Sequence, residues 1–358
     1  MQDQSTPRLK FRLILLGIIC AILLLPASNS QSVPFISKEA ELAMGRGADK
    51  DVIAQYGIYN NKPLQLYINR IGQTLVANLS DREFDRYFFK IVDSSDINAF
   101  ALPGGYIYVT RGILGLLNSE AELAGVLGHE IGHVIQHHGA KQVLRAIGAQ
   151  ILSIGAALAA PEHAGELLLV TSQMFNLINL GYGKDAELES DAHGILSVHQ
   201  AGYDPESVVD FLNTLRRKEI WSGQSYHSFL ATHPETKDRM IKAKMFSESL
   251  LRRNDQNLVA NREIYLNHLR GMIYGGKRHR HDRKNYPKEY MDVYQVKKGD
   301  TFKSIAIAQT GDVKNDMDIA VINGMKLEDS LTEGEMLKIV KKGVYKREKV
   351  LKLKPENL

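Results

Sequence analysis

Residues 119–138 read SEAELAGVLGHEIGHVIQHH. Ser119 followed three residues on by Glu122 is a capping-box pattern, and it predicts that a helix starts there. Leu123, Val126 and Leu127 supply an apolar helical face. Ala124, Gly125 and Gly132 leave room for close packing. His129 and His133 are one turn apart and point the same way. Two imidazoles at that spacing can grip one Zn²⁺ at ~2.0–2.1 Å. Glu130 lies beside them, placed to take a proton from an attacking water. Short patterns of this kind also arise by chance; the cap and the apolar face around this one make it a metal-site candidate.

A catalytic metal site needs a third protein ligand and an open position. Residues 186–193, AELESDAH, offer a candidate. Glu187 and Asp191 are four apart and share a helix face. One can ligate the metal while the other hydrogen-bonds a ligand histidine from behind. Taken alone, an acidic helical stretch reads as a solvated face.

The rest of the composition fits around this helix. The chain has 358 residues, 44% apolar and 24% charged, so it is globular and long enough for about two domains. Forty-five basic against 41 acidic residues give a net charge of +4, too balanced for a nucleic-acid binder. Cys20 is the one cysteine, so a metal site must be built from His, Asp and Glu.

Arg8, Lys10 and Arg12 precede an apolar run at 13–25 and a small-residue site ending at Ser30. That order predicts a signal peptide over 1–30, with an uncleaved signal anchor as the alternative, and export to the periplasm or another secretory compartment. Thirteen apolar residues span only ~20 Å as a helix, short for a bilayer core. Beyond it, helices are predicted at 37–56, 63–80, 119–138, 142–158, 165–180, 186–199, 205–217 and 263–272. Strands are predicted at 87–92 and 106–110, the second after the turn Pro103-Gly104-Gly105. Residues 276–291 read as a basic linker, and 342–358 as a basic surface tail that could touch an anionic membrane surface. His137, His138, His163, His193 and His199 read as structural or exposed.

His129–His133, followed by Glu187-x-Glu189-Ser190-Asp191, resembles the zinc metallopeptidase family that includes the CAAX prenyl protease and the HtpX heat-shock protease. The likeness is strongest to secreted bacterial members of the BepA and LoiP kind. Three further segments carry it: NAFALPGGYIYVTRG at 98–112, Thr232-His233-Pro234 with Arg239 and Met240, and LNHLRGMIYG at 266–275. Ser190 stands where the family usually has Ala. The resemblance implies an α+β, predominantly helical zincin-type (gluzincin) domain over 31–275. It implies one Zn²⁺ per chain on His129, His133 and Glu187, with Glu130 as general base and Asp191 behind a ligand histidine. It also places His233 near the metal, filling the open position in a latent state, and Arg239 near the oxyanion. Substrate main chain is expected to add to the strand at 106–110, with Gly105, Tyr106, Ile107 and Tyr108 contacting it. That mode suits unfolded or extended proteins.

Residues 292–341 resemble a LysM domain, in the pattern V-x-x-G-D-T-x-x-x-I-A, then Asn323-Gly324, then L-x-x-G-x-x-L-x-I at 331–339. This implies a small separate βααβ unit that would contact peptidoglycan. The expected function is a secreted zinc endopeptidase acting on misfolded or misassembled envelope proteins. Two other readings are a cell-wall binding protein with a latent or vestigial peptidase domain, and a peptidoglycan hydrolase. The intact His129, Glu130, His133 and Glu187 set argues against the first, and wall hydrolases use other zinc motifs.

Overall fold

The first two helices start at side-chain caps. Ser37 Oγ accepts from Ala40 N–H at the head of α1 (Lys38–Tyr56), and Asn61 Oδ1 accepts from Leu64 N–H at the head of α2 (Lys62–Ala77). Both satisfy donors that an α-helix leaves open. The computed structural model describes residues 37–154, 181–222, 229–234, 237–252, 257–275 and 289–346. The expected signal peptide, the helix at 165–180, His163, linker residues 276–288 and tail residues 347–358 lie outside the described residues.

Three strands follow α2: β1 (Phe88–Val92), β2 (Ala99–Leu102) and β3 (Tyr106–Thr110). The sheet order is β1-β3-β2, with β3 parallel to β1 and antiparallel to β2. Gly104 and Gly105 turn the chain between β2 and β3 with φ of 78° and 87°, a conformation that side chains resist. A short helix, α3 (Arg111–Leu116), leads into α4 (Glu120–Ile135), which carries the histidines. Then come α5 (His138–Ile154), α6 (Lys184–Gln200), α7 (Glu206–Ser222), α8 (Phe229–Thr232), α9 (Lys237–Leu251) and α10 (Arg262–Leu269).

Every residue of α4 is buried. It crosses α6 at two pairs of small residues: a Cβ on Gly128 would meet Gly194 Cα at 3.0 Å, and one on Gly132 would meet Ser190 Cα at 3.0 Å. That close crossing brings the acidic face of α6 up to the histidine face of α4. The main core, including Leu64, Ile68, Ile91, Ile107, Leu123 and Leu127, joins α2, the sheet and α4.

After β4 (Ile273–Tyr274), the C-terminal part runs β5 (Glu289–Gln295), α11 (Phe302–Thr310), a 3₁₀ turn, α12 (Asp316–Ile322) and β6 (Met336–Lys342). The expected β-α-α-β order of elements is present. Two expectations are corrected. The first strand begins at Glu289, inside the stretch read as linker, because Tyr290, Met291 and Val293 pair with β6. Nor is the unit separate: β4, from the preceding domain, pairs with β5, and residues 36–358 form one compact unit. Among the described residues, no helix is long and apolar enough to cross a membrane.

Candidate metal centre

Ser119 Oγ accepts from Glu122 N–H, as the capping pattern requires. Glu122 does not complete the box; its Oε2 accepts instead from Asn118 N–H, one residue earlier. Two turns further on, His129, Glu130 and His133 face α6 and the loop bearing His233.

Four buried side chains converge there: His129, His133, Glu187 and His233. His129 Nε2 is 3.0 Å from His133 Nε2 and 3.2 Å from His233 Nδ1. Glu187 Oε1 is 3.0 Å from His233 Nδ1 and 3.6 Å from His133 Nε2, and Glu187 Oε2 is 3.5 Å from His129 Nε2. Ligands ~2.0–2.1 Å from one tetrahedral ion lie about 3.3 Å apart, so these five edges fit a single metal. The outer nitrogens agree. His129 Nδ1 is 3.0 Å from Asp191 Oδ1, which assigns its proton to that side and leaves Nε2 as a bare donor atom for a cation.

Glu130 is wholly buried, and neither of its oxygens has a hydrogen-bond partner. Burial pushes its carboxyl above the ordinary value, with His233 and His129 partly offsetting this. His233 Nε2 lies 3.4 Å away. For Glu187 burial also raises, but His233 and His129 outweigh it and hold the carboxyl well below the carboxylate range. Asp191 is likewise depressed against its burial, by His129 and Arg239.

Arg239 reaches Asp191 with two donors, Nε at 2.7 Å and Nη2 at 2.8 Å, in the bidentate form that fixes a carboxylate. Its Nη1 lies 2.8 Å from Glu187 Oε2 and donates to the carbonyls of His233 and Pro234. In this arrangement Arg239 positions the acids and the His233 loop; it does not present a free donor to a substrate oxyanion, as had been expected.

The substrate strand is also corrected. Gly105, Tyr106, Ile107 and Tyr108 are buried, and β3 is hydrogen-bonded on both sides. It has no free edge. The edge strands are β1 and β2, and the main chain of Ala101, in β2, faces Glu130.

Two residues near the centre were not singled out from sequence as site residues. His138, read as structural or exposed, is buried; its Nδ1 is 2.9 Å from His133 Nδ1, and its Nε2 is 3.2 Å from Glu189 Oε2. Tyr182 stacks on His133 with ring centroids 4.1 Å apart, and its buried hydroxyl has no partner. Only the five-residue spacing of His138 from His133 gave any local signal, since Tyr182 comes from a distant segment.

The profile of peptidase family M48 matches residues 63–246. The chain belongs to that family. Its metalloendopeptidase character, expected from the sequence, is the family's. Over 224 residues the chain is 29% identical to the mitochondrial metalloendopeptidase OMA1 of Schizosaccharomyces pombe, covering 61% of the chain and 64% of that protein. Over 228 residues it is 28% identical to the beta-barrel assembly-enhancing protease of Escherichia coli K12, covering 62% of the chain and 46% of that protein. Over 155 residues it is 29% identical to metalloprotease YcaL of the same organism, covering 42% of the chain and 58% of that protein. The chain therefore spans less than two thirds of these relatives' length.

Proposed function

We propose that this M48 chain is a zinc endopeptidase of the cell envelope, made with a signal peptide and working in the periplasm on unfolded or misassembled proteins. The observation that carries the chemistry is the set of buried edges of 3.0–3.6 Å among His129, His133, Glu187 and His233. His129, His133 and Glu187 would hold the ion, and a bound Zn²⁺ would polarise the attacking water and the scissile carbonyl. Glu130, its carboxyl pushed up by burial, accepts the proton of that water and returns it to the leaving amine. Asp191 keeps His129 in the tautomer that points Nε2 at the metal. Arg239 ties Asp191 and Glu187 into one rigid group.

His233 occupies the fourth corner, so this arrangement is the resting one. It must swing away before substrate reaches Glu130. An extended substrate then adds to the outer edge of β2. The envelope role follows the name of the beta-barrel assembly-enhancing relatives. Cleavage of casein by residues 31–358 tests the activity, with His233→Ala beside it. The variant should start faster and lose metal more readily. An unchanged rate would remove the resting role from His233. A second reading, in which the C-terminal unit is a LysM domain that touches peptidoglycan, rests on the sequence pattern and the β-α-α-β order.

A further inference from the structure

We propose that the C-terminal β-α-α-β unit is a built-in clamp on the helix that carries His129, Glu130 and His133, with Lys338 as its positioning residue. The sheet of β5 and β6 is buried on both faces. Leu337 and Ile339 enter the unit's own core, while Met336 and Val340 pack against the peptidase core, which also takes in Met291 and Val293. Lys338 lies between them on the peptidase side and is 0% exposed.

Its ammonium group has three donors, and all three are used. Lys338 Nζ donates to the carbonyls of Gly115, Leu116 and Leu117 at 3.0, 2.8 and 2.7 Å. These are the carbonyls that a short helix leaves open at its C-terminus, where a cation is also favoured by the helix dipole. The helix is α3, which is joined to α4 by the three residues Leu117, Asn118 and Ser119. Its other end is held from β4, the peptidase strand that pairs with β5: Arg111 Nη1 donates to the carbonyls of Ile273 and Gly275 at 3.3 and 2.7 Å. The C-terminal unit thus grips one end of this six-residue segment directly, through Lys338, and the other end through β4, which pairs with β5.

Burial pushes the Lys338 ammonium well below its ordinary value, and Glu122, in the first turn of α4, partly offsets this; Arg262 links Asn118 to Asn323 and Met336. The Asn323-Gly324 turn, a marked part of the sequence pattern, is spent inward as well. Asn323 bonds both the N–H and the carbonyl of Lys338, and Arg217 donates to the Gly324 carbonyl at 2.6 Å. A unit tethered to reach an outside ligand needs none of this. Burying a lysine is costly unless every donor is satisfied, and here satisfaction requires one docking geometry.

The test uses the full chain with a specific protease site inserted after residue 281. After cleavage, the 289–346 piece of the native sequence should stay with the remainder through gel filtration. In Lys338→Met the pieces should separate. In the uncut chain, Lys338→Met should weaken zinc binding, read by competition with a chromogenic chelator, by roughly 10–100-fold. Lys341→Met, which removes only the partly exposed pair with Asp292, should leave it unchanged. Separation of the native pieces, or zinc affinity in Lys338→Met equal to native, would overturn the clamp. The association readout does not depend on the peptidase reading, so failure of one is distinguishable from failure of the other.

Discussion

Glu130 and His138 carry the residue-scale predictions. Glu130→Gln removes the proton acceptor and adds no charge near the ligands, so cleavage should fall by roughly 10²–10⁴-fold while metal content stays at one per chain. His138→Ala removes the group behind His133 Nδ1; metal affinity should fall by roughly 10–100-fold, measured by the same chelator competition. Asp191 sets a pH dependence. Its folded pKa is depressed from 3.8, so the stability it contributes is fully present above that value and is lost as pH falls through the folded pKa. The difference in thermal stability between native and Asp191→Asn metal-free protein should therefore hold from neutral pH to about 4 and narrow below it. A gap that stays constant down to pH 2 would mean that the Arg239 pair does not hold Asp191 ionised.

At the scale of elements, the α4–α6 crossing places Glu187 and Asp191 where the histidines can use them. A Cβ at Gly194 would meet His129 N at 2.9 Å, and backbone cannot yield as a side-chain tip does. Gly194→Val should cost ~1–3 kcal/mol of stability and weaken metal binding as well, because Glu187 moves with α6. Thermal unfolding and zinc titration of the variant check both. Lost stability with intact affinity would show that the crossing distance does not govern the site. The histidine helix, its Ser119 cap and the pairing of Glu187 with Asp191 on one face were all legible in sequence, because each depends on residues within one or two turns. The order β1-β3-β2 was not. Residues 106–110 read as a strand, but their central place follows from Phe88–Val92 returning in parallel, a pairing with no local signature. The expected substrate edge was wrong for that reason. His138 was missed in a related way: its spacing fits a surface turn, and only the fold puts Glu189 beside it.

For the whole molecule, the peptidase part and the C-terminal unit share one sheet and one buried charge network, so they should unfold together. Calorimetry of residues 31–358 should show one transition, with matching calorimetric and van't Hoff enthalpies; two resolved transitions would speak for an independent tethered unit. The sequence showed the order of elements in the C-terminal unit but not its attachment. In MLKIV at 336–340 the lysine looks like an exposed position of an alternating strand, and its three carbonyl partners lie more than 200 residues earlier. The central claim remains that buried His129, His133 and Glu187 hold a metal for which Glu130 moves the proton. The measurement that tests it most directly is casein cleavage by residues 31–358 beside Glu130→Gln, with zinc determined in both. The account predicts cleavage by the native chain and loss of cleavage in a variant that still holds one zinc. Equal cleavage by both proteins would contradict it.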